Sequence, residues 1–432
     1  MSSRRSFLAG VAAVPMIRAA FRGDALARAA GAAREAGQTD PRELATDEDF
    51  WSQIQRAFDV DRTIINLNNG GVCPSPTHVL DQMIRDLKFC NESPVQNMWR
   101  VVEPKVESVR RDLAREFGCD LEEIAVTRNA SESMENLILG MDLRRGDEAI
   151  ITDQNYPRMI TAWHQRARRD GLVVKTISFP VPLPSPRVFL DRVAAAITPR
   201  TKVIEVPEIT NLSGQILPIR ELVAMGREKG IEVLVDGAHA FAHLLTRRDD
   251  LDCDYYGCSL HKWTLAPIGT GMLYIRKAKI KGIWPLLAAD PKLDENIRKF
   301  EEIGTHPAAN HNAISVALAF HRSIGAERKL ARLIYLRDRW AKALLAADPR
   351  VKLWTPIGEG AASGAIGLLQ VRGLEPGKLF GYLWDKHRIV VSPTVHPSGQ
   401  FEGIRITPNV YTTLQEIDVF VDAVKSAMTA VG

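Results

Sequence analysis

From about Asp61 onward, short runs of β-branched and aliphatic residues alternate with helix-length amphipathic stretches, and this alternation restricts the fold more than any other feature of the chain. The runs lie at 124–127, 149–152, 173–178, 203–206, 233–236, 256–259 and 272–275. Amphipathic segments at 106–117, 133–143, 158–169, 188–197 and 219–229 stand beside or between them. Antiparallel neighbours need only a tight turn, whereas a helix-length crossover brings the chain back to pair in parallel. The pattern therefore predicts an α/β architecture: a mostly parallel sheet with helices on both faces. Near residue 300 the pattern changes. Segments 312–324 and 327–347 read as long helices, and 352–431 reads as a second mixed region. The expected organisation is a leader over 1–27, an N-terminal segment over 28–60, a large α/β domain over 61–300 and a smaller α+β domain over 301–432.

Charge and cysteine content narrow the function. The formal net charge is +4, and Arg4, Arg5, Arg18 and Arg22 against Asp24 supply most of it. The body is thus close to neutral, which argues against nucleic-acid binding by phosphate neutralisation. No apolar run reaches the roughly 18 residues that span a bilayer, so no membrane anchor is expected. Cys73, Cys90, Cys119, Cys253 and Cys258 are odd in number and form no CxxC pair, which predicts neither a disulfide framework nor a metal site. The start, Ser3-Arg4-Arg5-Ser6-Phe7-Leu8, resembles a twin-arginine export signal, with Ala25-Leu26-Ala27 as an A-x-A cleavage site. The expectation is export in the folded state by the twin-arginine machinery to the periplasm. An unused leader would be an Ala/Arg-rich helical tail on a cytoplasmic protein.

Two stretches carry chemistry. In Val233-Leu234-Val235-Asp236-Gly237-Ala238-His239-Ala240 an apolar strand ends in an acid, followed by glycine and histidine. Ligands of parallel sheets bind at the carboxyl ends of strands, although Asp-Gly alone also reads as a turn. The second stretch ends another strand with Ser259, His261 and Lys262. Leu260, Trp263, Leu265, Ala266 and Pro267 surround that lysine with apolar neighbours. Such a setting lowers a lysine's pKa and favours Schiff-base chemistry. One strand–helix–strand step separates Asp236 from Lys262, so both side chains can enter one cleft. Further upstream, 127–133 ends a strand and opens a helix. Its backbone N–H groups at Ala130 and Ser131 form an anion site, and Ser131 also suits an N-cap.

Asp236-Gly237-Ala238-His239, Ser259-x-His261-Lys262-Trp263 and Pro267-x-Gly269-Thr270-Gly271 together resemble the class V aminotransferases, in particular their isopenicillin N epimerase-like branch. These are pyridoxal 5'-phosphate enzymes of the aspartate-aminotransferase fold, PLP fold type I. The resemblance implies that Lys262 carries the cofactor and afterwards moves a proton. It implies that Asp236 keeps the pyridine nitrogen protonated, that His239 lies near the ring and that Asn211 hydrogen-bonds the phenolic oxygen. Tyr156 falls where this branch has a stacking aromatic and many other members have histidine. Ser259 and His261 would join Ala130 and Ser131 at the phosphate. Gly304-Thr305 matches a segment whose threonine reaches the phosphate of a neighbouring subunit, which implies a homodimer with shared active sites. Arg405, between Ile404 and Ile406, matches the arginine that binds the substrate carboxylate, a task suited to a planar guanidinium. The loop Asn68-Asn69-Gly70-Gly71-Val72 matches the family's opening loop near the substrate.

The expected function is that of a PLP enzyme acting on a small amino acid or amino-acid-derived substrate. Transamination stands first, with epimerisation and β-elimination as alternatives. Exported members of the branch finish peptide siderophores, a parallel the leader invites. Cysteine desulfurases of this class need a mobile cysteine in the small domain, and residues 300–432 contain none. A non-catalytic binding protein retaining the fold is the alternative of a different kind. The joint presence of Lys262, Asp236 and Arg405 speaks against it.

Overall fold

Wholly apolar runs set the centre of the molecule. In the computed structural model, which describes residues 25–358 and 360–430, every run read as a strand pairs into one sheet. Its strands are β2 (Ile124–Thr127), β3 (Glu148–Thr152), β4 (Val173–Ile177), β5 (Thr201–Pro207), β6 (Glu232–Asp236), β7 (Tyr255–Ser259) and β8 (Gly271–Ile275). Strand β1 (Ile65–Asn66) lies outside it. The order is β2-β8-β7-β6-β5-β3-β4, and β8 runs antiparallel to both of its neighbours while the other pairs are parallel. Strands β2, β3, β7 and β8 are buried along their whole length, as a sheet covered on both faces requires.

The helices that position the site are α1 (Ala25–Ala36), α2 (Thr77–Glu92), α3 (Val106–Phe117), α4 (Ala130–Gly140), α5 (Pro157–Asp170), α6 (Ala308–Ile324) and α7 (Ala326–Ala347). Helix α4 starts earlier than its apolar periodicity predicts. Asn129 caps it by accepting the Glu132 N–H at 2.9 Å, so Ser131 lies inside the first turn and is not the cap. The smaller unit has a four-stranded antiparallel sheet of order β12-β13-β10-β9, from β9 (Val351–Leu353), β10 (Gly367–Val371), β12 (Ser392–Val395) and β13 (Glu402–Ile406).

The division between the units is not a cut at residue 300. Ala313, Ile314, Ala317 and Leu318 of α6 belong to the large unit's core. In the other direction, β1 pairs in parallel with β11 (Ile389–Val390), so the chain near residue 65 joins the small unit. Periodicity shows that a helix exists but not which neighbour it packs against, so contacts that cross residue 300 are not legible in the pattern. The leader's arginines lie outside the described residues. Ala25 and Ala29 of α1 are buried, in a cluster with Phe320, Ile324 and Leu333. Among the described residues, no helix is long and apolar enough to cross a membrane.

Candidate active site

The loops at the carboxyl ends of β5, β6 and β7 converge on a cavity of about 450 Å³, the place where open α/β sheets bind ligands. Asp236 ends β6 and is buried. Its Oδ1 accepts the Ala238 N–H at 2.9 Å. Burial raises its pKa, while that N–H and the nearby Lys262 oppose the rise. Gly237 follows because a Cβ there would lie 1.8 Å from the Tyr256 ring.

Lys262 stands three residues beyond β7 on a loop closed by Leu260 N–H to the Thr270 carbonyl at 2.9 Å and Ala266 N–H to the Leu260 carbonyl at 3.1 Å. Its Nζ is 3.2 Å from His239 Nε2. Burial draws the amine down to about 8, with Asp236 opposing and Arg405 adding to the fall. His239, also buried, is held well below its ordinary range by the same burial and by Lys262, so it is a neutral imidazole.

The other end of the cavity is the start of α4. Asn129, Ala130 and Ser131 line it with Ser259, whose Oγ accepts the Ala130 N–H at 3.0 Å. Strand β8 comes close behind through Gly271, where a Cβ would sit 2.7 Å from the Asn129 backbone. His261 is on this wall, with Nδ1 3.1 Å from the Thr270 carbonyl and a pKa drawn down to about 4 by burial. A neutral His261 that donates from Nδ1 leaves only an acceptor at Nε2.

Tyr156 and Asn211 line the same cavity. Arg405 does not; it stands one residue behind the wall. Its Nη1 donates to the Asn211 carbonyl at 2.9 Å and its Nη2 to Asn68 Oδ1 at 3.0 Å, so neither partner is charged. Thr305 is exposed and off the cavity of its own chain. Nine of the eleven residues picked out from the sequence thus meet on one cavity, Arg405 borders it, and Thr305 does not reach it. Gln154 and Arg158 went unremarked in the sequence. Gln154 is buried and bonds Ser213 Oγ at 2.9 Å, and Arg158 lines the wall beside Tyr156.

Among the described residues, Asn211 Oδ1, His239 Nδ1 and Arg405 Nε around the cavity, and Gln154 Nε2 beside them, are buried without a partner. Such groups are costly unless something binds them. With an acid and a lysine on the floor and helix-start donors at one end, they fit a flat, phosphate-bearing heterocycle. The family model for class-V aminotransferases matches residues 65–420.

The chain belongs to the class-V aminotransferase family. Its fold is that of the type I pyridoxal-phosphate enzymes, and pyridoxal phosphate is its cofactor. The isopenicillin N epimerase of Streptomyces clavuligerus is 28% identical over 389 residues, 86% of this chain and 97% of that protein. That of Amycolatopsis lactamdurans is 27% identical over 400 residues, 87% of this chain and 98% of that one. The cysteine desulfurase of Synechococcus elongatus is 24% identical over 409 residues, covering 87% of this chain and 63% of its own length. Among solved structures, the cysteine desulfurase CsdA of Escherichia coli superposes with a TM-score of 0.74 at 19% identity, covering 88% of this chain and 98% of that one. The cystine C–S lyase C-DES superposes with a TM-score of 0.72 at 22% identity, covering 84% of this chain and 97% of its own.

Proposed function

We propose that this class-V enzyme is an aminotransferase for a small α-amino carboxylate, an amino acid or an amino-acid derivative. The observation that carries this reading is the pairing of Lys262 Nζ with His239 Nε2 at 3.2 Å beside Asp236. Both bases lie together, and a proton carried by one amine from the substrate's α-carbon to a carbon of the bound cofactor would be the transamination route. Inversion of the substrate needs a proton delivered to the opposite side.

Pyridoxal phosphate, when bound, supplies the electron sink that labilises a bond at the substrate's α-carbon. The chain's own residues do the rest. Asp236 holds a proton on the ring nitrogen. Asn211 and His239, each with a buried polar atom unpartnered among the described residues, would hold the ring's polar edge. Ala130, Ser131 and Ser259 hold the phosphate. Lys262, drawn down to about 8, is a neutral base in an appreciable fraction at neutral pH and takes the α-proton at Nζ. Arg405 exchanges Asn68 for the substrate carboxylate, which restores a charged partner to a buried cation.

Persulfide chemistry fits poorly. Cys73 and Cys258 are the buried thiols nearest this floor, and burial raises both pKa values, so neither is a ready thiolate. Epimerisation is the second reading, favoured by the two relatives of that name that cover nearly their whole length. The deciding experiment incubates purified enzyme with one amino donor and no acceptor. Transamination releases keto acid once per site and continues only when a second keto acid is added. Ammonia with sustained keto acid means elimination. Solvent deuterium at the α-carbon with no keto acid means epimerisation. Either result overturns the proposal.

Two further parts of the reading concern context. Thr305 serves the partner's phosphate in a homodimer, which its exposed position on its own chain suits. Residues 1–27 direct folded export. The A-x-A site, Ala25-Leu26-Ala27, lies at the head of helix α1. Replacing Arg4 and Arg5 by lysine and fractionating cells tests the leader. Mixing Lys262→Ala with a Thr305→Val variant tests the dimer through recovered activity in hybrids.

A further inference from the structure

The peptide group before Lys262 and the one after Trp263 are both tied down. The His261 carbonyl accepts the Cys73 N–H at 3.0 Å. The Trp263 carbonyl accepts Lys329 Nζ. Lys329 is completely buried on α7, and its second partner is His321 Nδ1 at 3.3 Å. His321, buried on α6, turns Nε2 to Glu116 Oε1 of α3 at 3.3 Å. Glu116 is the member nearest solvent, with its side chain 20% exposed and Arg322 3.7 Å from its other oxygen. A line of polar contacts thus runs from a surface carboxylate, through an imidazole and an amine, to the carbonyl of Trp263, the residue that follows Lys262.

A buried amine without a function is costly, because methionine would fill the same space with no desolvation. Burial draws Lys329 down to about 7, with Cys73 and Glu116 opposing. Burial lowers His321 as well, and its ring is therefore neutral. A neutral imidazole donates from one nitrogen and accepts at the other. Nε2–H to Glu116 leaves the Nδ1 lone pair for Lys329. In either protonation state the amine keeps an N–H for the Trp263 carbonyl. The Trp263 ring is fixed too, stacked on His243 at 3.8 Å and 20°. His243 Nδ1 lies 2.7 Å from the His239 carbonyl, and its Nε2 accepts the Ala365 N–H at 2.8 Å. Lys262 and His239, the two bases of the cavity, therefore hang from one framework.

We propose that Lys329, relayed through His321 to Glu116, is a positioning residue that fixes the Trp263–Thr264 peptide, one residue beyond Lys262, and so sets the reach of the Lys262 amine into the cofactor cavity. This rests on Lys262 being the residue that takes up pyridoxal phosphate.

The test measures uptake itself. Cofactor-free protein is mixed with pyridoxal phosphate, quenched with borohydride at timed intervals and analysed by peptide mass spectrometry. Wild type must be labelled at Lys262; labelling elsewhere would sink the site reading and this proposal with it, whereas wild-type labelling at Lys262 in the variants would sink this proposal alone. Lys329→Met is expected to slow labelling at Lys262 and to lower kcat by about 10-fold or more, with KM little changed, because small misplacements of a reacting group cost that much. Lys329→Arg should restore part of the rate. Glu116→Gln and His321→Asn should give graded losses of about 3-fold, smaller because each leaves the Lys329 amine in place. A merely structural acid near the surface would leave labelling untouched. Folded Lys329→Met with wild-type labelling overturns the proposal. If that variant does not fold, unchanged labelling in both Glu116→Gln and His321→Asn overturns it instead.

Discussion

At one end of the cavity Asp236, His239 and Lys262 crowd together, all with pKa values displaced by burial. At the other, Ala130, Ser131 and Ser259 present neutral backbone and hydroxyl groups at a helix start. The charged end holds the groups that can exchange protons with a reacting molecule. The neutral end holds only a handle. Damage to the first should fall on turnover and damage to the second on cofactor retention. A mutation series reads that contrast directly.

The largest loss belongs to Lys262→Ala, which removes both the attachment point and the base. Turnover should fall by at least about 10⁴-fold, measured with cofactor in excess. Residual activity near wild type would end the distinction between the two ends. Asp236→Asn comes next. The amide still accepts the Ala238 N–H but carries no charge for the ring nitrogen. Turnover should drop by about 10²–10³-fold while circular dichroism stays unchanged. Arg405→Lys keeps the charge but not the bidentate geometry. It should lower kcat/KM by about 10- to 150-fold and leave cofactor affinity alone. At the neutral end, Ser259→Ala should weaken cofactor binding by roughly 10-fold, read by equilibrium dialysis, with kcat restored at saturating cofactor. A fall in kcat that cofactor cannot rescue would break the comparison.

The smallest expected effect is a pH dependence of the cofactor-free protein. His243, drawn down to about 3 by burial, and His261, drawn down to about 4, stay neutral when folded and take up protons near 6.5 when unfolded. Between roughly pH 4 and 6.5 the unfolded chain binds more protons, so these groups make stability rise with pH there. Glu205 is raised to about 8 by burial and by Asp236, and works in the opposite sense between about 4.5 and 8. His78 and His311, each drawn down to about 4, add to the histidine side. The melting temperature should therefore climb from pH 5 to 6.5. A flat profile would show that the buried imidazoles are not what they are taken to be.

The sheet was legible because each strand is a short run rich in β-branched and aliphatic residues, set off by helix-length segments or turns. The floor of the site was legible because Asp236 ends such a run and Lys262 follows another by three residues. What escaped depends on who packs against whom. Nothing local marks α6 as part of the large core or ties residue 65 to residue 389. Nor does the run Glu327-Arg328-Lys329 single out one charge as buried. A signal was there: Lys329, Leu333, Leu336, Trp340 and Leu344 share one face of α7, and all are buried. A lysine at an apolar helical position is the mark that reading a helix by its hydrophobic stripe alone passes over. Arg405 was found by its apolar neighbours, yet its hold on Asn68 and Asn211 needed the fold.

That hold has a consequence in time. Asn68, Asn211 and Arg405 meet on one guanidinium although the chain is made in sequence order. Strands β2 to β8, which place Asp236 and Lys262, are all synthesised by Ile275. At about 5–20 residues per second, Arg405 follows on the order of 10 s later. The place where a substrate's carboxylate would dock is the last part of the cavity to be made. On the proposed reading, a nascent chain would possess the groups that take up the cofactor well before it could hold anything for that cofactor to act upon.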